Sequence, residues 1–313
     1  MRKSSKLYHY LAPRYWPTWF LLAILRLLVN LPTSVLFSLG RGLGLLSYYA
    51  LPKRREIGEI NLRIAFPQAT PREIQRLLKC SMKNTGVALF ETVLSWWKSE
   101  RVLGLCKTEG LDNLRKAQES GKGIIILSAH FTCVEIGGQL INKHAPVYVM
   151  YKRVKNRLFN HFVEYHRRRL YTSLVDHRKP SNMLRGLKKG FAAWYLPDQN
   201  VNSKDNIFAP FFGITTSTLT TTARIAKITG AHVVPYSIKR NEKNNTYTLK
   251  FFPMLENFPS GDIEQDTIRI NQVLEELIKE NPEQYLWVHK RYKNRPTSET
   301  DIYPPKIRKK RKK

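Results

Sequence analysis

Apolar and polar positions alternate along this chain in two regimes. Residues 16–51 are mostly apolar, "WPTWFLLAILRLLVNLPTSVLFSLGRGLGLLSYYAL", with Tyr15, Trp16 and Trp19 at one edge and basic residues at both ends. A membrane-spanning helix needs about 20 apolar residues, and here Arg26, Pro32 and Arg41 interrupt the run. The pattern predicts an N-terminal apolar helical membrane anchor over residues 1–51, built as one tilted span or as a helical hairpin in the interface. The aromatic edge and basic flanks favour lipid over the alternative, a helical pair buried in a soluble core. Thr70, Pro71 and Glu73 then form a helix-start signal. Ile74, Leu77, Leu78, Ser81 and Met82 follow at helical spacing, leading into a second apolar stretch that ends at Trp96 and Trp97.

Beyond about residue 107 the pattern changes. "GIIILSAH" reads as a fully buried strand, and "APVYVMYK", "YTSLVDH", "FAAWYLPDQ", "AHVVPYSIKR" and "TYTLKFFPML" read as further strands. Helical stretches alternate with them: "RLFNHFVEYHRRRL", "SNMLRGLKKG", "STLTTTARIAKITG" ending at Gly230, and the long "DIEQDTIRINQVLEELIKENPEQY". Strand–helix alternation predicts an α/β fold, a mostly parallel central sheet flanked by helices, over residues 52–303. The remainder, 304–313, carries the basic run "KIRKKRKK" and reads as a disordered tail.

Charge narrows the partners. The 313 residues carry 53 Lys+Arg against 24 Asp+Glu, a formal +29, which suits anionic lipid, phosphorylated substrate or an acidic protein. A nucleic-acid binder is the rival class. No recognition motif supports it, the basic residues are spread along the chain, and it leaves the apolar N-terminus unexplained. Cys80, Cys106 and Cys133 are widely spaced with no CxxC pair. We therefore expect neither a structural metal site nor a disulfide framework, and a reducing compartment.

The candidate chemistry sits in "AHFTCVEIGG", directly after the buried strand. Positions five apart on a helix point about 140° away from each other. His130 and Glu135 can therefore meet only if the histidine precedes the helix, at the strand end. The C-terminal ends of strands are where open α/β sheets bind ligands. A histidine there is a candidate general base, and a carboxylate on its other ring nitrogen would fix the tautomer. No G-x-S-x-G nucleophile elbow is present, so the nucleophile would come from the substrate, as a hydroxyl. Cys133 reads as a small buried thiol under the helix.

Taken together, several blocks resemble one family. "HFTCVEIGG" resembles the H-x4-(D/E) block of the lysophospholipid acyltransferase superfamily. "INLRIAFPQATPREIQRL", "AWYLPDQN", "IFAPFFGITTSTLTTTARIA" and "NPEQYLWVHKRYKNRP" resemble, in order, blocks of the late acyltransferases of lipid A biosynthesis, the lauroyl and myristoyl transferases. The resemblance implies an enzyme at the cytoplasmic face of the inner membrane. It would move a fatty acyl chain from acyl carrier protein to a hydroxyl of a lipid A precursor, with no cofactor beyond the donor thioester. It gives catalysis to His130 and Glu135, and substrate binding to Arg167, Asp198, Lys290, Arg291 and Arg295. The oxyanion would take backbone N–H groups near Thr132, or Arg167. Lys290, Asn200 and Lys152 depart from the family pattern, which bears on substrate detail and leaves the other reading within this class: transfer to another lysolipid or glycolipid.

Overall fold

In a computed structural model that describes residues 7–304, the chain runs as α1 (Trp16–Leu28), α2 (Thr33–Ala50), α3 (Pro52–Ala65), α4 (Pro71–Trp97), α5 (Glu100–Leu103), β1 (Cys106–Glu109), α6 (Leu111–Glu119), β2 (Ile124–Leu127), α7 (Val134–His144), β3 (Val147–Tyr151), α8 (Arg157–Leu170), β4 (Ser173–Asp176), α9 (Ser181–Lys188), β5 (Ala192–Tyr195), β6 (Asn206–Phe211), β7 (Ile214–Leu219), α10 (Thr221–Thr229), β8 (His232–Arg240), β9 (Tyr247–Phe251) and α11 (Ile263–Glu280). The basic run "KIRKKRKK" lies outside the described residues.

Seven strands form one sheet in the order β1-β9-β8-β2-β5-β3-β4. The five from β8 to β4 are parallel, as the strand–helix alternation predicts. β9 runs antiparallel to β8, and β1 follows β9. The continuous apolar runs of β2 and β5 are buried along their whole length, because helices cover both faces of a parallel sheet. One expected element differs. Residues 217–219 belong to β7, paired antiparallel with β6, and α10 opens only at Thr221. Ile214, Thr215, Thr216 and Thr218 of β7 are β-branched, and their stiff side chains fit a strand better than a helix interior.

Anchoring needs correction too. Among the described residues no helix is long and apolar enough to cross a membrane. α1 has 13 residues and so spans roughly 20 Å at 1.5 Å per residue, short of the roughly 30 Å hydrocarbon core. Nor do residues 16–51 stand apart from the rest, as a separate anchor would. Leu25, Val29, Leu36 and Phe37 lie in the same core cluster as the sheet. α2 presses onto α4 at glycines: a Cβ on Gly86 would lie 2.1 Å from the Gly40 carbonyl oxygen, and one on Gly44 2.2 Å from that of Met82. The outer face of the pair stays apolar. Phe20 is 70% exposed and Leu27 73%, with Leu39, Leu43, Leu46 and Tyr49 also exposed.

Thr70 caps α4 as its sequence predicts. Its hydroxyl accepts the Glu73 N–H and the Glu73 carboxylate accepts the Thr70 N–H, a reciprocal capping box.

Candidate active site

β2 and β5 are neighbours, and both chains continue past the same edge of the sheet. Their register sets Leu127 opposite Tyr195. Beyond the strand ends the pairing persists through Ser128 N–H donating to the Tyr195 carbonyl at 3.1 Å. Three residues further on each side stand His130 and Asp198. The His130 Nδ1 lies 2.6 Å from Asp198 Oδ1, and the His130 backbone N–H donates to Oδ2 at 3.2 Å.

This departs from the expected pairing. The carboxylate on the histidine ring belongs to Asp198, not Glu135. Glu135 sits in the first turn of α7 and pairs with the Arg167 guanidinium. α7 begins only at Val134, with Cys133 as its N-cap, and this turn separates Glu135 from the strand-end histidine. Glu135 is 6% exposed. Arg167 comes from α8, its guanidinium also over the Tyr151 ring at 5.7 Å. Of the three consecutive arginines, only Arg167 turns inward; Arg168 and Arg169 face solvent.

Asp198 is 1% exposed. Burial alone would raise its pKa, but the charge of His130, its ring and backbone hydrogen bonds, and the Tyr285 phenol bring it below the usual carboxylate value. Tyr285 Oη donates to Asp198 Oδ2 at 3.0 Å. For His130, burial pulls the pKa down, and the Asp198 charge and hydrogen bond more than restore it, so it stands above the ordinary imidazole value. One ring nitrogen is thus committed to a carboxylate. The side chain keeps 33% exposure, and Nε2 is the nitrogen left to face a substrate. Cys133 is fully buried, and burial pushes its thiol far up, which makes it a poor nucleophile.

The 281–292 segment frames this pair, and the motif blocks alone assigned it no such part. Phe131 bridges to Tyr285, Leu286 N–H donates to the His130 carbonyl at 3.2 Å, and Thr132 N–H donates to the Gln284 carbonyl at 2.7 Å. Of the N–H groups near Thr132 expected to serve an oxyanion, that of Thr132 itself is therefore already spent. The Gln284 amide is pinned to both backbone groups of Arg240 at 2.8 and 2.7 Å. Arg240 forms a buried ion pair with Glu91 at 2.7 Å. Asn61, from the "INLRIAFPQ" block, donates to the carbonyls of Trp287 and His289 at 2.6 and 2.8 Å. Two sequence blocks far apart in the chain thus meet as one support under the loop that carries His130.

The expected substrate-binding cations of this segment divide differently. Arg291 is 3% exposed; it donates to the Ser217 carbonyl and the Thr218 hydroxyl, both at 2.8 Å. Arg295 donates to the Thr215 and Thr300 carbonyls and pairs with Glu299. Both hold the β6–β7 hairpin and the C-terminal loop, so their donors serve the fold. Lys290 places its ammonium 5.0 Å from the Tyr303 ring centroid.

Residues 3–294 match the family model for bacterial lipid A biosynthesis acyltransferases. The chain belongs to the lipid A biosynthesis acyltransferase family. It is 34% identical over 296 residues to the lipid A biosynthesis palmitoleoyltransferase of Escherichia coli K12, covering 94% of this chain and 96% of the relative. It is 32% identical over 295 residues to the lauroyltransferase of the same organism, covering 94% and 95%. The myristoyltransferase of that organism is 26% identical over 309 residues, covering 94% of each. Among solved structures, a 1-acyl-sn-glycerophosphate acyltransferase from Thermotoga maritima aligns over 80% of this chain and 99% of its own, at 15% identity and a TM-score of 0.37, too low to speak for a shared fold.

Proposed function

We propose that this acyltransferase moves a fatty acyl group from the thioester of acyl carrier protein to a hydroxyl of a lipid A precursor, with His130 as general base. The observation that carries the reading is the His130–Asp198 pair at the ends of β2 and β5. With Nδ1 committed to the carboxylate, Nε2 takes the hydroxyl proton as the oxygen attacks the thioester carbonyl. The new C–O bond forms, the C–S bond breaks, and the departing thiolate recovers the proton from the imidazolium. The nucleophile is the acceptor's own hydroxyl, so no covalent acyl-enzyme forms. Asp198 takes the orienting role that sequence spacing gave to Glu135. Glu135 instead fixes Arg167 beside the start of α7, where first-turn N–H groups and the guanidinium offer donors to the developing oxyanion.

The reading extends to location. The exposed apolar face of α1 and α2 supports a hairpin lying in the interface at the cytoplasmic side of the inner membrane, the non-spanning form of the expected anchor. The excess of 29 positive charges suits both an anionic lipid acceptor and an acidic carrier protein.

Two measurements test it. Purified protein with acyl-carrier-protein thioester and lipid A precursor in mixed micelles should yield acylated product, and His130→Ala should lose about 10²- to 10⁴-fold in rate. Mass spectrometry of lipid A from cells with and without the chain should differ by one acyl group. An unchanged lipid A profile together with no transfer in vitro would overturn the reading.

A further inference from the structure

His289 lies in the supporting segment, and the reaction above gives it no part. Its Nε2 accepts the Asn200 backbone N–H at 3.0 Å. A backbone amide only donates, so Nε2 carries the lone pair and the ring proton sits on Nδ1. The His289 carbonyl is itself held by Asn61 Nδ2 at 2.8 Å, and Asn61 Oδ1 accepts the Tyr303 phenol at 2.5 Å. Histidine is therefore fixed at its backbone and at its ring. Asn200 follows Asp198 by two residues. The 198–200 turn is thus tied at one end to His130 and Tyr285, and at the other to His289.

We propose that His289 is a positioning residue: as a neutral ring it accepts the Asn200 N–H and holds the 198–200 turn, and so keeps Asp198 on the His130 ring. The role rests on the acyl-transfer reading. Protonation of His289 would turn its acceptor into a donor aimed at another donor. The charged groups that face it come from four elements. Asp198 follows β5, His130 follows β2, Arg291 is in its own segment, and Arg54 from α3 donates to the adjacent Val288 carbonyl at 3.1 Å. Burial first, and then His130 and the two arginines, disfavour a charge on His289 against the single pull of Asp198, and its pKa lies below the ordinary value.

The test compares two substitutions. The amide oxygen of His289→Gln can still accept the N–H and does not titrate. His289→Leu keeps bulk without an acceptor. His289→Leu should lower kcat on the order of 10²-fold, the cost of misplacing a reacting group by about an ångström, while KM moves by less than about threefold. His289→Gln should keep most of kcat. The pH profile separates positioning from packing. In the wild-type protein the acid limb of kcat/KM should steepen from one proton to two as His289 protonates below His130. In His289→Gln it should stay at one, with circular dichroism confirming a folded protein across the range.

A second readout needs no activity. In protein labelled with 15N-histidine, the resonances lost in His289→Gln should report an Nδ1–H tautomer with an unprotonated Nε2. An Nε2–H tautomer, a normal kcat in His289→Leu, or a steepening that survives in His289→Gln would each overturn the proposal. No transfer by the wild-type protein would instead overturn the acyl-transfer reading, and the tautomer would still decide the Asn200 contact.

Discussion

His130 and Asp198 each stand three residues beyond a strand end, and the two strands pair in parallel with Leu127 opposite Tyr195. Equal overhang from paired strands brings the two side chains level, so a single sheet register sets the His130 ring against the Asp198 carboxylate. Asp198→Asn keeps the shape but offers the ring an uncharged partner. It should cost on the order of 10²- to 10⁴-fold in kcat, because the correct tautomer is no longer enforced. The acid limb of its residual activity should move to lower pH, since His130 loses the charge that raises its pKa. A variant with normal kcat and a depressed melting temperature would make Asp198 a structural cap.

The same pair gives stability a sign with pH. His130 has a raised pKa, so its contribution is full below the ordinary imidazole value and fades as pH rises through the raised one. Asp198 has a lowered pKa, so its contribution is present above the ordinary carboxylate value and fades as pH falls through the lowered one. The gap in melting temperature between wild type and Asp198→Asn should be widest between about pH 4 and 6.5, and should narrow above that window. A gap flat with pH would disconnect the pair from stability.

Glu135 and Arg167 should behave as one unit. Removing either leaves a largely buried charge unpaired, a cost of about 3 kcal/mol or more. Glu135→Gln with Arg167→Gln should cost less than the sum of the singles in a double-mutant cycle read by denaturant unfolding. Additive losses there, with strong coupling between Glu135 and His130 in kcat, would return Glu135 to the histidine.

The N-terminal helices should prove inseparable from the catalytic part. Gly86→Ala puts a methyl 2.1 Å from the Gly40 carbonyl oxygen, where backbone faces backbone. A loss of about 1–3 kcal/mol is expected from such overpacking, measured by thermal or urea unfolding. Wild-type stability in this variant would mean that α2 and α4 are free to slide apart.

On the outer face, Phe20→Ser with Leu27→Ser should leave unfolding unchanged, since both side chains are exposed. The pair should weaken binding to lipid vesicles, with flotation as the measurement. Unaltered flotation would place the lipid contact elsewhere.

Much of this was settled along the chain. The apolar run of β2 and the strand–helix alternation specify a parallel sheet, because a strand covered on both faces has no polar side. That sheet places His130 at a C-terminal strand end whatever the rest does. The capping box of Thr70 and Glu73 is equally local, four residues that need no partner from elsewhere. What the chain order could not give is which carboxylate reaches the ring. Glu135 is five residues from His130 and Asp198 sixty-eight, yet the α7 turn carries the near one to Arg167 while strand register delivers the far one. The same holds for Arg291 and Arg295: the family resemblance implied substrate-binding cations, and only the approach of the β6–β7 hairpin decides that their donors meet carbonyls and a hydroxyl instead. The apolar N-terminus is the third case. Its composition speaks of lipid, but the glycines of α2 and α4 let two backbones touch, and that contact turns one face inward to the core and leaves the other exposed. Local pattern fixes what depends on neighbours in sequence; pairings across the sheet depend on register and close packing, which exist only once the chain has folded.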